Sequence, residues 1–248
     1  FPGAWRPPQR RILLQKGLQY FALSYGWAQV IGGVVSFGLL ARRCPLNGRW
    51  NPGLLHGLSY FTVDSILIMS LPQLAPIILE KVISLQDVGY FTAAYKIPGV
   101  LILIPFAISR AFYPVLFKKG HLSAADNLRA AAVELRVTSA LGIAAAVPFA
   151  LYPDYIIRFL FGNNWGDGEA ALALQLVVWL AVLQSVNYPL ADALTTQGYQ
   201  NRRTISLGIA VACSIPMLVI LGGVYKAVGG ALAVIGTETV FMLSNLIC

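Results

Sequence analysis

The sequence predicts an all-α fold, a polytopic bundle of transmembrane helices with about seven spans. Three observations predict it. The 248 residues are 57% hydrophobic and only 11% charged, with a mean hydropathy of +0.69, whereas a soluble domain carries about 25% charged residues. The apolar residues fall in runs of about twenty, the length a helix needs to cross roughly 30 Å of hydrocarbon. Short basic or polar loops separate the runs.

The chain opens on a basic, proline-rich stretch, Phe1 to Lys16, with Arg6, Arg10, Arg11 and Lys16 around Trp5, Pro7 and Pro8. A first span is predicted from about Leu18 to Leu40. Its glycines Gly26, Gly32, Gly33 and Gly38 give it a small-residue face that lets membrane helices approach. The loop ARRCPLNGRWNPG follows with Arg42, Arg43 and Arg49, and the second span runs from about Leu54 to Leu79 with Asp64, Pro72 and Pro76 inside it. The boundary between an N-terminal segment, 1–53, and the main bundle, 54–248, is placed there.

The third segment, Val88 to Lys119, is the most informative. It holds Pro98, Pro105 and Pro114, with Lys96 near its start and Arg110 deep inside it. A soluble core helix does not carry three prolines and an arginine in such a run. A transmembrane helix can, because its neighbours re-satisfy the freed backbone groups. Charges at membrane depth face a bundle interior or a watery cavity, so the segment is expected to line a polar path.

After the loop KKGHLSAADNLR, Ser123 marks the N-cap of a fourth helix whose apolar span runs from about Ala130 to Tyr152. The stretch PDYIIRFLFGNNWGDGE reads as the longest polar connection of the second half. Its glycines and asparagines suit turns, and Asp167 and Glu169 lack calcium-loop spacing. A fifth span covers about Ala170 to Leu190, a sixth about Ile205 to Tyr225, and a seventh starts near Ala231 after the turn KAVGG and reaches Cys248. Because the sequence begins at Phe1 and stops inside an apolar run, it is expected to be a fragment of a longer polytopic protein.

Loop charge predicts orientation. The loops with Arg42, Arg43 and Arg49, with Lys118, Lys119 and Arg129, and with Arg202 and Arg203 are expected on the cytoplasmic side. The less basic loops around Glu80–Asp87, Asp154–Glu169 and Lys226 are expected outside. The basic Phe1–Lys16 stretch departs from that alternation. One local echo, Trp5-x-Pro7 with Gly17-Leu18-x-Tyr20-Phe21 against Trp50-x-Pro52 with Gly57-Leu58-x-Tyr60-Phe61, is short.

The net charge of +8 invites a nucleic-acid reading, but interleaved basic and aromatic residues on a polar face are absent, so no nucleic-acid partner is expected. Cys44, Cys213 and Cys248 lie far apart and are expected as packed thiols. His56 and His121 make no metal pattern, and no metal or cofactor is expected.

Five segments in order resemble bacterial polysaccharide exporters of the lipid-linked oligosaccharide flippase kind, in the superfamily that also holds multidrug extruders. They are VGYFTAAYKIPG (Val88–Gly99), AFYPVLFK (Ala111–Lys118), FGNNW (Phe161–Trp165), TTQGYQNRR (Thr195–Arg203) and AVGGALAVIGTE (Ala227–Glu238). The resemblance implies a transporter of two lobes, about twelve or more helices in all, that alternates between inward- and outward-facing states around a cationic cavity. The chain would supply the end of the first lobe and most of the second. It implies a multi-pass protein of the bacterial cytoplasmic membrane that flips a polyprenyl-pyrophosphate-linked oligosaccharide for lipopolysaccharide or exopolysaccharide synthesis. The bilayer and polysaccharide-assembly proteins would be its partners.

Arg110 is the leading substrate-binding candidate, since a guanidinium pairs phosphate oxygens bidentately. The plain alternative is an ion pair with a carboxylate on a neighbouring helix. Lys96 is a second candidate, with snorkelling to the interface as its alternative. Gln184 and Tyr188 are four apart, share a helix face and could meet sugar hydroxyls. Asp64 and Glu238 are the candidates for ion coupling, or for pairing with a base such as Arg110. Glu134, Arg136 and Asp192 are expected at span boundaries.

Two other functions compete. An organic-cation extruder would need an acidic cavity. A membrane-embedded glycan polymerase, ligase or glycosyltransferase would need a large external loop rich in acidic, His or Arg residues, and the loop around Pro153–Glu169 lacks that density. Nucleophile motifs and Gly-rich phosphate loops are also missing. The expected protein is not an enzyme.

Overall fold

Proline stands at the start of two helices and at the bend of a third. The computed structural model describes residues 20, 23–24, 26–36, 38–39, 42, 52–120, 123–162, 165 and 168–247. Expectations for Phe1–Lys16, for most of the loop through Arg49, for Cys44, His121 and Cys248, for the side chain of His56, and for Asn163, Asn164, Gly166 and Asp167 lie outside these residues. The chain divides into Phe1–Leu54 and Leu55–Cys248. In the first unit the described residues between 20 and 42 are helical. No strand occurs among the described residues.

Helix α1, Pro52–Val82, has proline at its first position, where the missing N–H costs nothing, and Lys81 in its last turn. Ser84 caps α2, Leu85–Leu101: its Oγ accepts from the Asp87 N–H at 3.2 Å and donates to Asp87 Oδ2 at 2.7 Å. Helix α3 is Leu103–Gly120. The predicted third span is thus two helices bent by 40°. Pro105 gives the physical reason. It lacks the N–H that would pair with the Leu101 carbonyl, and its ring crowds that same carbonyl, so the helix breaks between Leu101 and Leu103.

Helix α4, Ala124–Leu151, starts after Ser123 as expected, although the Ser123 side chain makes no capping bond. The stretch expected as a polar loop instead begins with a helix, α5, Pro153–Phe161. Pro153 at its start, Asp154 in the first turn and Arg158 in the last favour it. Its Ile157 is buried while Tyr155 and Phe159 are exposed. Gly162, at φ 88°, ends it, and Gly168, at φ 80°, leads into α6, Glu169–Val177. Helix α7, Trp179–Thr196, continues from α6 through Val178, which keeps helical angles.

The final helix, α8, Gln200–Ile247, is 48 residues long but reverses direction at Lys226, whose φ of 51° and ψ of −126° are not helical. Its two arms lie side by side. A Cβ on Gly229 would run into the Leu221 carbonyl, so only glycine permits the close return, and Gly236 sits against Met217.

Among the described residues four helices are long and apolar enough to cross a membrane, or five with α2 and α3 as one bent span. This is fewer than the seven or so expected. The sixth and seventh expected spans are the two arms of α8, and the first expected span falls in the partly described Phe1–Leu54 unit.

Small residues let these helices approach. Ala75, Ala94, Ala146, Ala173 and Ala231 pack with Leu79, Phe91, Leu174 and Leu218 in the main core. Helix α7 packs against α3, α4 and α8. Gly142 of α4 meets the side chain of Ser185 on α7. Large apolar side chains such as Ile66, Met69, Ile104, Val147 and Ile220 face outward. In water that much exposed apolar surface is a liability, and in hydrocarbon it is the expected exterior.

Candidate functional site: a buried charge network beside a cavity

Arg203 stands in the first turn of α8 and is only 9% exposed. Its Nη2 lies 3.5 Å from Asp64 Oδ2 of α1, and its Nη1 lies 3.9 Å from Asp192 Oδ1 of α7. Nη1 also donates to Thr195 Oγ1 at 3.0 Å. Asp192 extends the network, since its Oδ2 is 3.1 Å from Ser109 Oγ of α3, and that hydroxyl is 2.5 Å from Glu134 Oε1 of α4. All of these groups are buried. A charge inside a bundle requires such pairing, because an unpaired one costs several kcal/mol, about 3–5 when a partner is removed.

A cavity of about 120 Å³ opens beside the network. Its polar lining includes Tyr95, Gln184, Tyr188, Arg203, Thr237 and Glu238, set among apolar walls. Asn187 Nδ2 holds Glu238 by donating to its Oε1 at 2.6 Å and to its backbone carbonyl at 3.1 Å. Asp64 Oδ1, Arg203 Nε and Asn187 Oδ1 are buried without a hydrogen-bond partner among the described residues.

The structure brings three of the predicted site residues together and separates the others. Gln184, Tyr188 and Glu238 share the cavity. Asp64 joins them through Arg203, not through Arg110. Arg110 and Lys96 lie outside the cavity and are exposed. The Arg110 guanidinium rests over the rings of Phe106, at 4.7 Å, and Tyr113, at 5.7 Å. Phe106 in turn packs edge-on against Tyr188, ring centres 5.3 Å apart. Arg110 and the cavity therefore lie on two sides of one aromatic pair. Among the described residues no carboxylate forms an ion pair with Arg110.

Arg203, expected in a loop, stands in the first turn of α8, and Asp192 and Glu134, expected at span boundaries, are buried inside the bundle. Each stands near the end of an apolar run, which in sequence looks like the membrane surface. The signal available for Asp192 is the set of small and polar residues beside it, Ala191, Ala193, Thr195 and Thr196, which suits a helix–helix contact.

A second, polar cavity of about 490 Å³ lies where α1 ends, α2 and α6 begin and α8 turns. Asp87, Glu169 and Lys226 line it, with Lys226 Nζ 4.0 Å from Asp87 Oδ2. Three loops expected on one side of the bilayer thus meet at one end of the bundle. No group of three or more potential metal ligands occurs among the described residues.

No protein-family model, curated protein or solved structure matches the chain. The fold and its interior define the class: a polytopic α-helical membrane protein with a charged network inside its bundle.

Proposed function

We propose that this chain is part of an alternating-access transporter that flips a polyprenyl-pyrophosphate-linked oligosaccharide across the bacterial cytoplasmic membrane. The observation that carries the reading is Arg110. It sits in the middle of α3, in a segment apolar enough to cross the bilayer, yet its guanidinium is exposed and forms no ion pair among the described residues. An arginine at that depth calls for an anion, and the Phe106 and Tyr113 rings hold it in place to receive one. The pyrophosphate linker supplies the anion, while the lipid tail stays in the bilayer. Tyr188, packed against Phe106, and Gln184 offer polar contacts from the cavity, and Asp64 and Glu238 are the ion-coupling candidates. Lys96, also exposed, is the second candidate cation.

The test is translocation of a fluorescent lipid-pyrophosphate oligosaccharide by the whole protein in liposomes, intact and as Arg110→Ala. Loss in the variant at equal protein level supports the reading. Retained translocation removes Arg110 from the path.

One observation favours a second reading. The buried interior holds Asp64, Glu134, Asp192 and Glu238 against Arg203, an acidic excess suited to an organic-cation extruder. Uptake of cationic dyes without movement of the lipid-linked glycan would select it. Neither reading makes the protein an enzyme.

A further inference from the structure

We propose that Glu134 and Asp192 hold a single proton between them through Ser109, and that this buried carboxyl pair is a proton-binding site of the bundle. The hydrogens at the site can be counted. Ser109 Oγ lies 2.5 Å from Glu134 Oε1 and 3.1 Å from Asp192 Oδ2. A serine hydroxyl has one hydrogen to donate, and an ionised carboxylate has none. Two ionised carboxylates would leave one oxygen facing a Ser109 lone pair. One carboxyl therefore brings its own hydrogen.

The surroundings decide which one. Asp192 Oδ1 faces the Arg203 guanidinium at 3.9 Å, which favours its charge. Glu134 is fully buried and forms no ion pair among the described residues. Its second oxygen, Oε2, is buried without a hydrogen-bond partner among those residues. An unpartnered carboxylate oxygen there is far costlier than the carbonyl oxygen of a neutral acid. The charged groups that act on Glu134 are Asp192 on α7 and Arg110 on α3, with Arg203 on α8 and Asp64 on α1 beyond Asp192 and Arg136 exposed on its own helix. The relay then runs in one direction: Glu134 donates to Ser109, Ser109 to Asp192, and Asp192 pairs with Arg203, which holds Asp64. Five helices meet along it.

Loss of the proton leaves two carboxylates around one hydroxyl, with Arg203 the nearest buried cation. Repulsion then acts between α4 and α7 at the point where α3 bridges them. The proton site stands on geometry alone. Its use as the coupling ion rests on the transporter reading, and it places coupling at Glu134 and Asp192 in addition to the Asp64 and Glu238 candidates.

The test is infrared spectroscopy of the whole protein in detergent, wild type against Glu134→Gln, in water and in heavy water. The wild type should show a protonated-carboxyl stretch that shifts in heavy water and is lost in Glu134→Gln. A spectrum in which no such band disappears overturns the proposal. Should Glu134→Gln fail to fold, Ser109→Ala decides the matter, because it leaves both carboxyls in place. A shifted carboxyl band supports the shared proton and an unchanged one refutes it. Since no transport is read, the result does not depend on what the protein carries. Proton movement in liposomes, measured separately, should be lost in Glu134→Gln. Proton movement unchanged while the band is lost would keep the site and reject its role in coupling.

Discussion

Arg203 Nη2 lies 3.5 Å from Asp64 Oδ2, joining the start of α8 to the body of α1. Both side chains are at least nine-tenths buried, so the contact ties α1 to the bundle through charge. Removing the guanidinium strands two buried carboxylates, Asp64 and Asp192.

Arg203→Met should therefore destabilise the protein by about 3–5 kcal/mol, the usual cost of leaving a buried charge uncompensated. The double variant Arg203→Met, Asp64→Asn should recover part of that loss, because one of the stranded charges is gone. Thermal unfolding in detergent measures both. Equal stability of wild type and Arg203→Met would show that the pair holds nothing together.

Arg110 offers the opposite case. It is exposed, rests on two rings and forms no ion pair among the described residues, and lysine keeps its charge, so Arg110→Lys should change stability by no more than about 0.5 kcal/mol. Lysine cannot reproduce the planar fork that meets two phosphate oxygens at once. Translocation of a pyrophosphate-linked lipid should fall about tenfold or more, equivalent to roughly 1.4 kcal/mol. Full activity in Arg110→Lys would mean that a point charge suffices.

The approach of α4 to α7 depends on Gly142. A Cβ there collides with the Ser185 side chain, so Gly142→Ala should cost about 1–3 kcal/mol through overpacking. Pairing it with Ser185→Gly should restore most of the stability. A Gly142→Ala protein that melts with the wild type would show that these helices can part without penalty.

Lys226 makes the turn of α8 at φ 51° and ψ −126°, outside the regions that L residues favour. Backbone strain of this kind costs about 1–3 kcal/mol, and glycine recovers it less an entropic loss of about 0.5–1 kcal/mol. The Lys226–Asp87 contact, at 4.0 Å with the lysine side chain 58% exposed, contributes little against that. Lys226→Gly should accordingly leave the melting temperature unchanged or raise it. A clear drop would assign Lys226 a structural role beyond the turn.

Much of this architecture follows from local features of the chain. The apolar runs announce helices of membrane length, Ser84 and Ser123 stand where helices begin, and the KAVGG stretch marks the reversal of α8. The i,i+4 spacing of Gln184 and Tyr188 puts both into one cavity, as helical geometry requires. Two further local features carry structure that the apolar pattern alone conceals. Pro105 forbids the bond to the Leu101 carbonyl and so locates the bend. Pro153, Asp154 and Arg158 signal the short helix α5 inside what looks like a polar loop.

The sequence by itself determined the all-α class, the approximate helices and the membrane character, because apolarity and helical periodicity are properties of neighbouring residues. Only the tertiary structure decided which charges meet. Asp64, Ser109, Glu134, Asp192 and Arg203 come from five different helices. A charged residue near the end of an apolar run looks the same whether it reaches the membrane surface or turns inward. Its partner, and hence its burial, depends on distances that exist only once α1, α3, α4, α7 and α8 have packed.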